Sequence, residues 1–549
     1  MAKIVNGGDL VAESLIGLGV KQFFTVSGGP INQIYRAAAE NSLQIVHTRH
    51  ELAACHMAEA VSRTSGIPGV AVVTLGPATT NTQTGAMMAS MSGTPLLIIG
   101  GQCGTRGFDT GTDMAIDGVR VMKPLTKFAE RVLHTDRIPE YIEMAWRAMW
   151  AGRPGPAFLE IPVDILANEV PRTGPAAAPA ARVPGLSEAA KEQIEHTLRS
   201  ARRPLLLVGD EALWERHAGF DERLLCMAIE RHGLPFATLR HGRGMIDERH
   251  RLCLGQADVY ANHALLTSLG EADVVLVLGH YLEFALDFGH PIRSDAKVVQ
   301  CYCDSSFIGK GRHVDVAAVS GVAPVVELLN AMEPIECDRN WVESVALRWR
   351  DELESTYHPL SNSLPLHPAA AVRAVLETMP EQTIYVTGHG NVDYWADGLI
   401  QVTGPARYIR GGLGGAVGPD IPYGVGARFA SPESPVVVFV GDGAVGYHGV
   451  ELDTAERYER PIIIIVLDDQ KWGAIALPQR RTLGAEYGVD LKERDWGRFA
   501  EALGGLGYRA ETMEDVRAAV AEAHQANRPA IIQVPVQCVI SPFMDAFGF

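Results

Sequence analysis

The segment 436–473, VVVFVGDGAVGYHGVELDTAERYERPIIIIVLDDQKWG, constrains the fold more than any other part of the chain. An apolar, β-branched run over 435–440 stops abruptly at Gly441-Asp442-Gly443. The pattern predicts a buried strand, a helix, and a second buried strand over 462–467 that ends in Asp468-Asp469. Two strands joined by a helix form a βαβ unit, whose parallel strands end on one edge of the sheet. Both acidic positions therefore share an edge. Glycines at 441 and 443 let a ligand approach the backbone, and amide groups at the helix start near Ala444 favour an anion. Carboxylates beside them suit a hard divalent cation bridging protein to diphosphate. Alone, Asp468-Asp469 reads as a solvated acid pair. The GDG upstream, with Asp469 lying 27 residues beyond Asp442, outweighs that reading.

The same alternation recurs. Over 1–170 it predicts a helix at 9–18, a strand at 22–26 ending in Ser27-Gly28-Gly29-Pro30, a helix at 51–62, a strand at 70–75, a helix at 81–91 and a strand at 95–100. The Pro/Ala-rich stretch 171–185 lacks periodicity and reads as a linker. A second α/β unit occupies 187–335, with strands at 204–208, 274–278 and 298–301. A charged helix over 341–357 leads to another linker. A third unit occupies 365–537, with strands at 383–386, 435–440, 462–467 and 530–534, and 538–549 forms a tail. The expected fold class is α/β, with three domains, each a mainly parallel sheet flanked by helices.

Composition narrows the function classes. A formal charge of −17 without any basic run argues against nucleic-acid binding. The N-terminus has no signal-peptide layout and no apolar run is long enough to span a bilayer, so no membrane partner is expected. The eight cysteines are scattered, and Cys301/Cys303 fits neither a zinc knuckle nor a CxxC pair; free thiols in a reducing cytoplasm are expected.

A second chemical signal is TRHELAACHMAEA, where Glu51 opens an Ala-rich helix directly after a short strand over 45–48. Desolvation by apolar neighbours would raise the pKa of that carboxyl and suit it to proton transfer. Alone, Glu51 reads as a first-turn acid facing the helix macrodipole.

Together these motifs resemble the thiamine diphosphate-dependent enzymes, whose signature is GDG followed about two dozen residues later by a polar pair, usually Asn-Asn. The resemblance extends to GVKQFFTVSGGPI at 19–31, to 74–101, to 152–166 and to GHGNVDYW at 388–395. It implies that Mg2+ is held by Asp442, Asp469 and the main-chain carbonyl of Lys471. His389, Gly390, Asn391, Gly441, Gly443 and Ala444 would receive the diphosphate. Glu51 would hydrogen-bond the pyrimidine ring and promote activation of the cofactor, with Pro77 and Asn81 in the neighbouring Gly-Pro-x-x-x-Asn loop. In RGGLGGAVGPDIPYGVGA, at 410–427, Val417 matches the apolar prop under the cofactor and Gly415 the carbonyl that takes its aminopyrimidine. The near-match of this segment to a dinucleotide GxGxxG is set aside, because Val417 stands where the last glycine belongs and no strand is evident before it. The chain departs from the family in having Asp-Asp for Asn-Asn. That adds negative charge beside a diphosphate and implies a stronger metal requirement.

Within the family, YHGVELDT, QKWGAI, the stretch 116–127 and the tail 542–549 look most like benzaldehyde lyase; 279–289 is similar to the 2-hydroxyacyl-CoA lyases, and acetolactate synthases share the broader pattern. This chain has Pro30 where benzaldehyde lyase has a histidine and Asp113 where it has a glutamine. Asp113 is a candidate for proton transfer at the substrate alcohol, against a plain reading as a solvated loop acid. Gly29, Pro30, Ala474 and Leu477 would face substrate. Residues 279–289 lack the Gly-x-Arg-Phe of flavin-binding relatives, and no Lys/Arg cluster announces an ADP or coenzyme A site. The expected function is a lyase or carboligase acting on 2-hydroxy ketones, aldehydes or 2-oxo acids. A 2-hydroxyacyl-CoA lyase, a 2-oxo acid decarboxylase, an acetolactate synthase-like enzyme and a non-catalytic, cofactor-binding regulator stay open. The resemblance implies a homodimer or homotetramer with the site at the subunit interface.

Overall fold

The computed structural model describes residues 3–177, 183–357, 364–411 and 413–547. Parts of both expected linkers, the last two tail residues and Gly412 lie outside these. The described residues build three six-stranded sheets, each parallel throughout and flanked by helices, plus a small antiparallel pair of Ile4–Asn6 with Glu169–Pro171. The chain divides into two compact units. One comprises Met1–Ala181, Gly411–Glu433 and His448–Ile462; the other comprises Arg182–Arg410, Ser434–Tyr447 and Ile463–Phe549. No helix among the described residues is long and apolar enough to cross a membrane.

The first unit holds the N-terminal sheet, in the order Gln44–His47, Gln22–Thr25, Gly69–Val73, Leu96–Gln102, Pro156–Pro162, Phe128–Arg131. The C-terminal sheet, in the second unit, repeats this topology: Tyr408–Arg410, Ile384–Thr387, Val436–Gly441, Ile463–Asp468, Ala530–Pro535, Leu506–Arg509. In both, the second strand lies to one side of the first and the third to the other. This places a topological switch point between first and third strands, where ligands of open α/β sheets bind beyond the carboxyl ends. The central sheet, Cys253–Gln256, Phe236–Thr238, Pro204–Val208, Val274–Leu278, Lys297–Tyr302, Val316–Val319, winds outward from its first strand in both directions, the doubly wound order of dinucleotide-binding folds.

The strands read as continuous apolar runs because both faces are covered. Val436 to Val440 and Ile463 to Leu467 are buried throughout, and their register sets Val440 opposite Val466 and Gly441 opposite Leu467. In the first unit, the helix Glu51–Ser65 packs on Asp420–Ala430 closely enough that a Cβ on Gly426 would lie 2.3 Å from the Met57 carbonyl oxygen. A buried polar knot pins the two helices. Arg63 pairs with Glu59, and the Tyr423 hydroxyl donates to Glu59 Oε2 at 2.7 Å. Burial alone would raise the Glu59 carboxyl, but Arg63 and His56 bring it below its ordinary value.

Three expectations are corrected. The helix expected over 81–91 is two, Pro77–Asn81 and Gln83–Ser92, the first opened by proline at a position where a missing N–H costs nothing. The charged helix over 341–357 is α-helical only across Arg339–Glu352 and then widens into a π-type turn, Leu353–Tyr357. A strand, Tyr408–Arg410, does stand directly before the GxGxxG-like segment. At three residues it is too short for its alternation to be read.

Candidate functional site

In the second unit, the switch point of the C-terminal sheet gathers the loop 388–390 and the strand-to-helix junction 441–443. Asp442 opens the helix Asp442–His448. It is only 5% exposed, and its Oδ1 has no hydrogen-bond partner. Burial, reinforced by Asp468 and Asp469, pushes the Asp442 carboxyl up to about 8. Asp468 closes the adjacent strand, buried, with its Oδ2 accepting the side-chain amide of Gln533 at 2.6 Å. Asp469 is half-buried; its Oδ1 accepts the Lys471 N–H at 3.2 Å, and burial pushes it up to about 6. Gln470 adopts φ 56°, the left-handed conformation that lets the chain turn tightly between Asp469 and Lys471. The Lys471 ammonium pairs with Glu486 at 2.6 Å and with Asp490, and forms no ion pair with Asp469 among the described residues.

Glycine at 443 is required by close approach, since a Cβ there would lie 2.8 Å from the Trp472 ring. Gly441 and Ala444 are half-buried. The other loop is held by hydrogen bonds of its own. The Gly390 N–H donates to Asp393 Oδ2 at 2.8 Å, which caps the helix Asn391–Leu399 from within. Asn391 is buried, with its amide donating to the Val539 carbonyl at 2.7 Å and its Oδ1 accepting the Ser541 N–H at 2.8 Å. The Asn391 side chain thus ties the loop to the C-terminal segment, because its buried amide takes the nearest backbone partners. His389 is half-buried on the same loop. Ala474 is half-buried against the Phe543–Met544 cluster, and Leu477 is buried.

In the first unit, Glu51 is the first residue of its helix and half-buried. His50 caps that helix, its Nδ1 accepting the Leu52 N–H at 3.0 Å. Glu51 Oε2 accepts the side-chain amide of Asn81 at 3.0 Å, which joins two residues singled out from distant motifs. Pro77 is exposed, after Gly76 at φ +60°, where a Cβ would lie 2.1 Å from the Met114 carbonyl oxygen. The loop carrying exposed Asp113 therefore passes over Gly76-Pro77. Gly29 is exposed and Pro30 half-buried, the latter packed toward Gly101. Gly415, at φ +60°, and Val417 are exposed, and neighbouring Gly414 abuts Met88.

The residues present fit a hard cation beside a diphosphate. The donors at the edge are carboxylate oxygens, one of them buried and unpartnered, and a glycine-lined turn adjoins them. Sequence reasoning missed Gln533 and Cys538. Gln533 interrupts the apolar strand Ala530–Pro535, and a polar residue inside a buried strand is the signal that would have found it. Cys538, whose thiol is pushed up to about 12 by burial and then by the Asp469 charge, carries no such signal.

Three family models match in chain order: the N-terminal TPP binding domain of thiamine pyrophosphate enzymes over residues 5–121, the central domain over 192–329, and the C-terminal TPP binding domain over 388–534. The chain belongs to the thiamine pyrophosphate-dependent enzymes. The acids of the switch-point edge lie in its C-terminal TPP-binding domain, and Glu51 lies in its N-terminal one. Among similar proteins, 2-hydroxyacyl-CoA lyase 2 of Caenorhabditis elegans is 30% identical, covering 93% of this chain and 85% of that protein. The Homo sapiens 2-hydroxyacyl-CoA lyase 2 is 28% identical over 97% of this chain and 90% of its own. The acetolactate synthase isozyme 3 large subunit of Escherichia coli is 28% identical over 97% and 95%.

The TPP enzyme's central domain has its own switch point, beyond the ends of Pro204–Val208 and Val274–Leu278, where side chains crowd the backbone. A Cβ on Gly209 would lie 2.2 Å from the His280 Cβ. Buried Asp210 and Glu283 flank the imidazole, Asp210 at 3.5 Å and Glu283, itself paired to Arg240, at 3.8 Å, and buried Glu211 accepts the Cys303 N–H at 3.3 Å. Burial pushes the Glu211 carboxyl up to about 8.

Proposed function

We propose that this TPP enzyme is a Mg2+-dependent carbon–carbon lyase or carboligase of the benzaldehyde lyase kind, acting on 2-hydroxy ketones, aldehydes or 2-oxo acids. The observation that carries the reading is the buried, unpartnered Oδ1 of Asp442 beside Asp469, at the switch-point edge of a TPP-binding domain. Bound thiamine diphosphate supplies an electron sink for a carbanion next to a carbonyl, and the protein supplies orientation and proton transfer. Asp442, Asp469 and the Lys471 carbonyl hold the metal. The 441–444 turn, with the 388–391 loop, receives the diphosphate. Glu51, oriented by Asn81, holds the proton relay at the pyrimidine ring. Gly415 and Val417 support the cofactor, Asp113 serves the substrate hydroxyl, and Gly29, Pro30, Ala474 and Leu477 bound the substrate. The assembly is a homodimer or homotetramer that completes each site across a subunit interface. Eight free thiols support a reducing, cytoplasmic setting.

A second reading, 2-hydroxyacyl-CoA lyase, is favoured by the relatives of that name. Reconstitution with thiamine diphosphate and Mg2+ on a panel of acyloins, aldehydes, 2-oxo acids and 2-hydroxyacyl-CoA esters tests both. Turnover confined to the CoA esters replaces the first reading by the second. Cofactor binding without turnover of any substrate identifies a regulator.

A further inference from the structure

We infer that Asp469 lets the diphosphate edge capture a divalent cation before the cofactor arrives, so that the bound metal then recruits the diphosphate. The inference deepens the metal reading proposed above and rests on it. Asp442, Asp468 and Asp469 leave two adjacent strands at one level, since Gly441 and Leu467 are paired in register. None of the three forms an ion pair among the described residues. The lysine closest in sequence, Lys471, is committed to Glu486 and Asp490. Asp468 is engaged by the Gln533 amide and by Asp442, and Asp469 by neutral donors alone, the Lys471 N–H and the Cys538 thiol, while Asp442 keeps one oxygen with no partner.

Asp442 is 95% buried by its 5% exposure, and its Oδ1 meets no donor. Asp469 uses Oδ1 for the Lys471 N–H. Beside Oδ2 stands Gly473, where a Cβ would come within 2.6 Å, so the glycine leaves that oxygen uncrowded on this side. Two carboxylates match the charge of a dication without help from a phosphate. A carboxylate and an amide, the usual set of the family, leave half of that charge for the diphosphate to supply. Uncompensated carboxylates in a buried site are costly, and a cation relieves that cost directly.

The test is titration of the cofactor-free protein with Mn2+, with free metal read by electron paramagnetic resonance. Expected is about one Mn2+ per chain in wild type, and at least about tenfold weaker binding in D469N that thiamine diphosphate restores. Restoration also shows that D469N is folded. H250Q must retain the wild-type stoichiometry, because Cys226, Glu230 and His250 also bring ligand atoms within 4.8 Å of one another. Mn2+ bound by wild type only with thiamine diphosphate overturns the inference and leaves the metal reading standing. No Mn2+ even with thiamine diphosphate overturns both. Equal cofactor-free binding in D469N, or loss of binding in H250Q, overturns the role given to Asp469.

Discussion

Asn81 donates its side-chain amide to the Glu51 carboxylate at 3.0 Å, linking the end of the helix Pro77–Asn81 to the first turn of Glu51–Ser65. The bond fixes the carboxylate at the edge of the N-terminal TPP-binding domain. A glutamine at 51 keeps a partner for Asn81 but cannot take a proton. E51Q is therefore expected to hold cofactor within roughly tenfold of wild type and to turn over about two orders of magnitude more slowly. Cofactor titration and steady-state kinetics check this; near-normal turnover removes Glu51 from the mechanism.

If each site is completed across a subunit interface, two inactive variants complement each other. Mixed and reassembled E51Q and D442A chains are expected to regain roughly a quarter of wild-type activity, since half of random dimers are mixed and each mixed dimer carries one intact site. Activity that stays at background after verified subunit exchange places both halves of the site in one chain.

Thiamine diphosphate binding with Mg2+ should survive D469N, because an amide oxygen still ligates a hard cation. Calorimetric titration of cofactor in saturating Mg2+ is expected to give a dissociation constant within about tenfold of wild type. Complete loss makes the second carboxylate indispensable even with the diphosphate present.

Glu211 gives the stability a sign with pH. Its folded pKa, about 8, exceeds the ordinary 4.5 because burial penalises the carboxylate. Between those values the folded chain holds a proton that the unfolded chain has released, so rising pH lowers stability through this window. E211Q should flatten that slope. Urea unfolding of the central domain at pH 5, 6.5 and 8 measures it, and an unchanged slope in E211Q removes Glu211 as the source.

Y423F deletes a hydroxyl that donates to the buried Glu59 carboxylate at 2.7 Å. The expected cost is about 2 kcal/mol, the usual range for a lost bond to a charged group. Urea unfolding reads it, and a change below about 0.5 kcal/mol means that Arg63 alone satisfies Glu59.

The sequence alone determined the chain's architecture and the edge where its chemistry sits. Strand period, glycine turns and helix starts are local, so VVVFVGDG followed by IIIIVLDD was enough to bring Asp442 and Asp469 to one sheet edge, and R-H-E was enough to put Glu51 at a helix start. The tertiary structure decided which groups are free to act. Asn391 is taken by Val539 and Ser541, Lys471 by Glu486 and Asp490, and Asp468 by Gln533, while Asp442 keeps an open oxygen. Those partners lie up to 150 residues away in the chain, and only packing brings them within hydrogen-bond range. The three-residue strand Tyr408–Arg410 escaped notice for the same reason, since pairing with Ile384–Thr387, and not its own pattern, makes it a strand.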